Sequence, residues 1–243
     1  MKLIERPSPN YDSRNGSDID MLVLHYTGMP TAAEALARMI DPASKVSAHY
    51  LVDEEARVYR LVPENKRAWH AGVAQWGNVT DINSCSVGIE IANPGHEYGY
   101  REFTQEQTAA VIALSKEIVT RHRIKPARVL GHSDVAPTRK QDPGELFDWQ
   151  RLARAGVGLW PGQVRPLGRT LNPGESGADV SGLQKALAAF GYAVPKTGKY
   201  DEDTQAAVAA FQRHFRPAKV DGVADGHTRA LINRLKEQVA RTA

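Results

Sequence analysis

Eight histidines are spread along the 243-residue chain, and two of them directly follow short apolar runs. His25 ends the run Met-Leu-Val-Leu and precedes Thr27, and His132 follows Val-Leu-Gly. Asp142 comes ten positions after His132. In α/β proteins, ligands gather at the carboxyl ends of strands, so these side chains can meet there. Two histidines and one aspartate would make a three-ligand zinc site with an open fourth position, as catalytic zinc requires. Spacing alone, however, leaves other triplets open.

The elements around these residues predict an α/β fold with a mixed central sheet flanked by helices. Apolar runs predict strands at residues 21–26, 49–52, 58–62, 87–92 and 129–130. In the fourth run, Ile89 and Glu90 belong to opposite faces because side chains alternate along a strand. Two pairs, Thr31 with Glu34 and Thr104 with Gln107, have the spacing of helix caps.

The last third of the chain predicts a small three-helix bundle. Apolar residues recur at steps of three and four within 180–190, 208–215 and 231–235. A stretch rich in Gly and Pro precedes them and shows no such periodicity. We therefore expect two domains, at residues 1–160 and 174–243, joined by a linker at 161–173. We also expect residues 1–162 to fold without the bundle.

Composition excludes several classes of protein. The chain is 42% hydrophobic and 24% charged, with a net charge of +3, as in ordinary globular proteins. A single cysteine, Cys85, excludes a disulfide framework and predicts a plain, semi-buried thiol. No apolar run is long enough to span a bilayer. No cluster of Lys and Arg interleaved with aromatic residues predicts nucleic-acid binding.

Five motifs in order carry a family resemblance over residues 20–152: LVLHYTG, SAHYLVDE, AWHAG, SVGIEIAN and GHSDVAPTRKQDPG. Together they resemble the type 2 N-acetylmuramoyl-L-alanine amidases, which are AmpD-like zinc amidases with the fold of peptidoglycan recognition proteins. The resemblance implies that His25, His132 and Asp142 hold Zn²⁺. It also implies that Glu90 and Lys140 are the catalytic pair.

These residue types suit amide hydrolysis. A glutamate such as Glu90 can take a proton from water and pass it to the departing nitrogen. A fixed cation such as Lys140 stabilises a developing oxyanion. The simpler alternatives are a surface ion pair for Glu90 and a solvated loop lysine for Lys140. His70, in the WHAG segment, is expected to contact substrate or to support the site residues, with a purely structural role as the alternative. Asn93, after the Glu90 strand, is expected to contact substrate.

The remaining polar candidates carry weaker expectations. His49 is either a neighbour of the site or a hydrogen-bonded core histidine. Asp134 is expected to cap the loop after His132 rather than to bind metal. No function is predicted for four further histidines: His96, His122, His214 and His227.

Residues 177–228 resemble the three-helix peptidoglycan-binding domain that is often attached to cell-wall hydrolases. The residues from 163 onward carry a net charge of +4, from 12 basic and 8 acidic residues, which suits an anionic wall polymer. The chain is thus expected to hydrolyse the amide between the lactyl group of N-acetylmuramic acid and L-alanine. Its expected partner is peptidoglycan or a muropeptide.

Two other functions remain open. A non-catalytic peptidoglycan receptor is disfavoured because receptor relatives lack the third ligand, which is Asp142 here. A phage-type lysin is less expected because that group commonly has Cys at this position. The N-terminal decapeptide MKLIERPSPN has no apolar signal region, which predicts a cytoplasmic location, with periplasmic location or signal-independent secretion as the alternative.

Overall fold

The computed structural model describes residues 2–242, so the expected domain limits at residues 1 and 243 lie outside it. The strands are β1 (Leu3–Glu5), β2 (Tyr11–Ser13), β3 (Met21–Tyr26), β4 (Tyr50–Val52), β5 (Val58–Arg60), β6 (Lys66–Ala68), β7 (Ser86–Ile91) and β8 (Val129–Gly131). The helices are α1 (Ala32–Ile40), α2 (Ile82–Cys85), α3 (Gly95–Tyr98), α4 (Gln105–His122), α5 (His132–Val135), α6 (Trp149–Arg154), α7 (Ala178–Phe190), α8 (Glu202–Phe215) and α9 (Gly226–Thr242).

The expected mixed central sheet is present, and six strands form it in the order β1-β5-β4-β7-β3-β8. The neighbours of β3 are β7 and β8, and both run parallel to it. The adjacent strands β4 and β5 pair antiparallel, as a hairpin. A second, two-stranded sheet pairs β2 with β6. The three parallel strands β7, β3 and β8 therefore end at one edge of the sheet.

Both predicted helix caps are present. Thr31 accepts a hydrogen bond from the backbone N–H of Glu34 at the start of α1, and Thr104 accepts one from Gln107 at the start of α4. The apolar stripe of α4 packs on one face of the sheet, where Leu22, Leu24, Val87, Ile89 and Ile91 belong to the same hydrophobic cluster. Because side chains alternate along a strand, His25 and Glu90 project from the opposite face.

The three predicted C-terminal helices, α7 to α9, form the bundle, and its apolar core continues into the sheet. One hydrophobic cluster joins bundle residues such as Phe211 to Val23 and Leu130 of the sheet and to Val135 of α5. The two regions therefore pack against each other through a shared cluster, and independent folding of residues 1–162 stays a prediction. Sequence periodicity identifies the apolar face of each helix but does not show which surface that face covers.

Candidate active site

The parallel strands bring three of the predicted site residues to one edge of the sheet. In the register of β3 and β7, His25 lies opposite Glu90. Leu24 of β3 lies opposite Gly131 of β8, so His132, the next residue along the chain, emerges beside His25. The loop that follows α5 returns Asp142 to the same place, and its carbonyl accepts a hydrogen bond of 2.9 Å from the backbone N–H of Ser133.

His25, His132 and Asp142 form a compact, buried cluster of potential metal ligands. The two Nδ1 atoms lie 2.9 Å apart, and each lies 3.0 Å from Oδ2 of Asp142. Neighbouring ligand atoms of a tetrahedral zinc with bonds of 2.0–2.2 Å are separated by roughly 3.3 Å. The spacing of the three atoms is therefore close to that of a zinc site.

The outer ring nitrogens support the same assignment. Nε2 of His132 lies 2.9 Å from the carbonyl oxygen of Ala71, which can only accept, so Nε2 carries the proton. In the neutral ring, Nδ1 then presents a lone pair toward the cluster. Metal-binding histidines characteristically donate their other N–H to a carbonyl or carboxylate. The ring of His132 is thus oriented so that the lone pair of Nδ1 can bind a cation in the cluster.

Burial and neighbouring charges set the protonation of the cluster. Burial, and then the nearby His132, lower the pKa of His25 to about 4, so its ring is neutral at pH 7. Burial alone would raise the pKa of Asp142, but the facing His132 and His25 outweigh it and hold that pKa well below its ordinary value. A neutral imidazole and a carboxylate are the protonation states that bind zinc.

Glu90 and Lys140 line the same cavity as His132 and Asp142. Burial, and then the charge of Asp142, raise the pKa of Glu90 well above its ordinary value, while Lys140 acts in the opposite direction. Oε2 of Glu90 is buried and has no hydrogen-bond partner within residues 2–242. A carboxyl group whose pKa is raised in this way can hold and release a proton, which suits a group that transfers one.

His70 lies between β7 and the cluster of potential metal ligands. Its Nδ1 is 3.0 Å from Nε2 of His25, and its Nε2 is 3.1 Å from Oγ of Ser86. Gly88 makes room for the ring, because a Cβ there would lie 2.6 Å from Cγ of His70. His70 also lines the cavity, so its position allows both the expected contact with substrate and orientation of His25.

Asn93 is not brought to the cavity. Its side chain is buried, with Oδ1 accepting from the backbone N–H of Gly95 and Nδ2 donating 2.7 Å to the carbonyl of Arg101. These bonds fix the loop after β7, which carries the cavity residues Pro94 and His96. The sequence position of Asn93 correctly predicted that it lies near the cavity. Its side-chain amide, however, is occupied by hydrogen bonds within the loop.

His49 is a buried, hydrogen-bonded core histidine, and it also packs edge-on against His70, with ring centroids 5.8 Å apart. The ring is fully buried, Nδ1 accepts from the backbone N–H of Gly88, and Nε2 lies 3.0 Å from the carbonyl of Lys66. Cys85 is half-buried, and burial raises the pKa of its thiol to about 11. Neither side chain lines the cavity.

The cavity has a volume of about 510 Å³ and includes residues that the sequence analysis overlooked. These are Arg38 and Met39 of α1, Trp69 and His96. Nδ1 of His96 lies 3.0 Å from the hydroxyl of Tyr26, and Nε2 lies 3.2 Å from Glu145. His96 comes five residues after β7 ends, and this proximity to a strand end was the available signal.

A sheet whose parallel strands end in a buried His-His-Asp cluster, with a glutamate alongside, is typical of metal-dependent hydrolases. Comparison with known proteins identifies the family. The N-acetylmuramoyl-L-alanine amidase family matches residues 15–145, and a peptidoglycan binding domain family matches residues 176–232. The chain belongs to the N-acetylmuramoyl-L-alanine amidase family.

The similarity extends over nearly the whole chain. The N-acetylmuramoyl-L-alanine amidase AmiD of Escherichia coli is 36% identical, and the match covers 97% of this chain and 91% of AmiD. AmiD in complex with anhydro-N-acetylmuramic acid-L-Ala-D-γ-Glu-L-Lys superposes with a TM-score of 0.78, covering 96% of this chain and 93% of that one. AmpDh3 of Pseudomonas aeruginosa also superposes with a TM-score of 0.78 at 30% identity, over 97% and 96% of the two chains.

Proposed function

We propose that this protein is a zinc-dependent amidase that hydrolyses the amide between the lactyl group of N-acetylmuramic acid and L-alanine. The proposal rests on the convergence of three donor atoms, all within 3.0 Å of one another, beside the buried Oε2 of Glu90. A receptor would need neither the third ligand, Asp142, nor an acid-base group.

His25 and His132, through Nδ1, and Asp142, through Oδ2, would hold the zinc. Bound zinc polarises a carbonyl and lowers the pKa of a coordinated water to about 7. The hydrogen bond from His132 to Ala71 and the contact of His25 with His70 fix the two rings. The residues around the site thus orient the donors before any substrate arrives.

Glu90 accepts the proton of the attacking water and delivers it to the leaving amine of L-alanine. Its buried oxygen holds that proton in a site with little competing water. Lys140 lines the same cavity and supplies positive charge where the carbonyl oxygen becomes negative. Proton transfer typically contributes a factor of roughly 10² to 10⁴ to a rate.

The substrate is peptidoglycan or a muropeptide fragment. The complexes of AmiD and of AmpDh3 contain anhydromuramic peptides, which supports a fragment of that kind as substrate here. The cavity of about 510 Å³ falls within the usual range of small-molecule sites, roughly 300–1,000 Å³. We propose that residues 174–243, after a linker at 161–173, add affinity for the polymer to the catalytic region at 1–160.

Among residues 2–242, no helix is both long and apolar enough to cross a bilayer. A cytoplasmic location, where imported wall fragments would be the substrate, is proposed on the resemblance to AmpD-like enzymes. Fractionation of cells that express the native gene tests this location. A protein found mainly in the periplasm or the medium would contradict it.

Mass spectrometry of digests tests the activity. The purified protein is incubated with a soluble anhydromuropeptide and, separately, with intact sacculi. Cleavage at the expected bond releases a peptide with a free L-alanine amine and a sugar with a free lactyl carboxylate. Binding to sacculi without either product would make the protein a receptor, and cleavage within the peptide or the glycan would identify another hydrolase.

A further inference from the structure

Asp134 lies in a buried polar cluster between the catalytic region and the helical bundle. Its Oδ1 accepts a hydrogen bond of 2.5 Å from the hydroxyl of Tyr192, which follows α7. Its Oδ2 lies 2.7 Å from Nδ1 of His214 in α8. The three residues are each no more than 2% exposed. Two residues of the bundle thus hold one carboxylate of the catalytic region.

The same carboxylate is bonded to the backbone that carries a metal ligand. Oδ2 of Asp134 accepts a hydrogen bond of 2.7 Å from the N–H of Gly131, the residue before His132. Ser133, which lies between His132 and Asp134 in the chain, donates its N–H to the carbonyl of Asp142. The position of Asp134 therefore sets the first turn of α5, to which both His132 and Asp142 are connected.

The two bundle side chains are themselves held rigidly. The ring of His214 is stacked between Trp149 and Phe215, with centroid distances of 3.6 and 3.8 Å. Tyr192 packs edge-on against Trp76 at 4.9 Å. Burial, and then the charge of Asp134, raise the pKa of Tyr192 well above its ordinary value, so the hydroxyl keeps its proton and donates it.

We propose that the helical bundle positions the metal centre: Tyr192 and His214 fix Asp134, which fixes the Gly131–His132 backbone and with it the ligand geometry. The inference rests on the proposed zinc site. It gives the bundle a second role that is independent of any polymer, so the role operates on small soluble substrates too. Residues that orient metal ligands typically change metal affinity or activity by 10- to 100-fold when they are replaced.

The test uses the full chain and compares two side chains that lose the same group. Tyr192→Phe removes one hydroxyl at the cluster. Tyr200→Phe is the matched control, because its buried hydroxyl donates 2.8 Å to the carbonyl of Gly222 inside the bundle. His214→Leu removes the second donor, and His214→Asn restores an N–H near the position of Nδ1. For each protein, the rate of zinc loss to a chelator, kcat and KM are measured with a soluble anhydromuropeptide.

We expect Tyr192→Phe and His214→Leu to lose zinc about tenfold faster and to have about tenfold lower kcat, with KM within about twofold of the parent value. His214→Asn should recover most of both losses. Tyr200→Phe should match the parent in zinc loss and kcat, although its thermal midpoint falls. A purely structural interface would lower the thermal midpoints without this split between kcat and KM.

Zinc loss and kcat of Tyr192→Phe within twofold of those of Tyr200→Phe would overturn the inference. This comparison decides even where His214→Leu fails to fold, because Tyr192→Phe removes a single oxygen atom. Failure of the parent protein to bind zinc would overturn the proposed function as well. The two failures are therefore distinguishable.

Discussion

Glu90 and His25 lie opposite each other on the neighbouring parallel strands β7 and β3, but their proposed roles differ. Glu90→Gln keeps the shape of the side chain but removes the proton acceptor. We expect it to retain one zinc per chain and to lose a factor of roughly 10² or more in kcat/KM, as for a general base. Zinc analysis and steady-state kinetics measure the two effects separately.

His25→Ala is the companion variant, and it should lose both zinc and activity because it removes a ligand. If Glu90→Gln also came out without zinc, then Glu90 would be a ligand and the division of roles would be wrong.

Residue 88 must be glycine because the ring of His70 lies against it, and not because the backbone of Gly88 has an unusual conformation. A Cβ at Gly88 would lie 2.6 Å from Cγ and 2.7 Å from Cδ2 of that ring. We expect Gly88→Ala to destabilise the protein by about 1–3 kcal/mol, typical of overpacking, and to weaken zinc binding by displacing His70 from His25. Urea unfolding and chelator competition measure the two effects.

Gly182→Ala in α7 is the control for that variant, because nothing lies within 4 Å of its added Cβ. It should leave zinc binding unchanged and stability equal or slightly higher, since Ala favours helix over Gly. Equal behaviour of the two variants would show that His70 does not depend on the space beside Gly88.

At the level of elements, His49 directly precedes β4. Its uncharged side chain connects that strand to the neighbouring strand β7 through the backbone of Gly88. Burial, and then the nearby Arg14 cation, lower the pKa of His49 to about 3. The unfolded chain binds a proton at this residue near its ordinary pKa of about 6.5. Between these values the unfolded state holds more protons, so stability falls as pH decreases from about 6.5 to about 3.

His49→Asn tests this linkage on chelator-treated protein. The amide oxygen can still accept from the Gly88 N–H, but the side chain no longer titrates. We expect the slope of unfolding free energy against pH between 4 and 6 to decrease by up to about 1.4 kcal/mol per pH unit relative to the parent. An unchanged slope would mean that His49 is not held neutral by the fold.

The elements themselves were readable from the sequence wherever local chemistry determines them. The run ending at His25, the alternation around Glu90 and the caps at Thr31 and Thr104 all predicted structure that is present. The convergence of His25 and His132 was predictable because parallel strands end at one edge. The role of His214 was not predictable, because it depends on the contact with Asp134, which is 80 positions away in the sequence.

At the scale of the whole molecule, the bundle and the sheet share one hydrophobic cluster. We therefore expect a single calorimetric unfolding transition for the full chain, since exposing either region would expose apolar surface of the other. Two separate transitions, with the first leaving the catalytic region folded, would contradict the shared core. That result would support the expectation that residues 1–162 fold without the bundle.

Gly191 tests the same interface locally. A Cβ at this residue would lie 2.2 Å from Cε2 of Trp76 in the catalytic region. Gly191→Ala should lower the single transition clearly more than Gly177→Ala, which has a similar positive φ but open space around its Cβ. Equal effects of the two variants would mean that only backbone strain matters and that the contact with Trp76 is loose.

In the proposed mechanism, one zinc held by His25, His132 and Asp142 is required for amide hydrolysis. Zinc is titrated into the chelator-treated 243-residue protein while release of free L-alanine amine from a soluble anhydromuropeptide is followed. We predict no cleavage at zero zinc and a linear rise that saturates at about one equivalent per chain. Full cleavage by the metal-free protein would contradict the requirement for zinc, and no cleavage at any zinc concentration would contradict the proposed amidase activity.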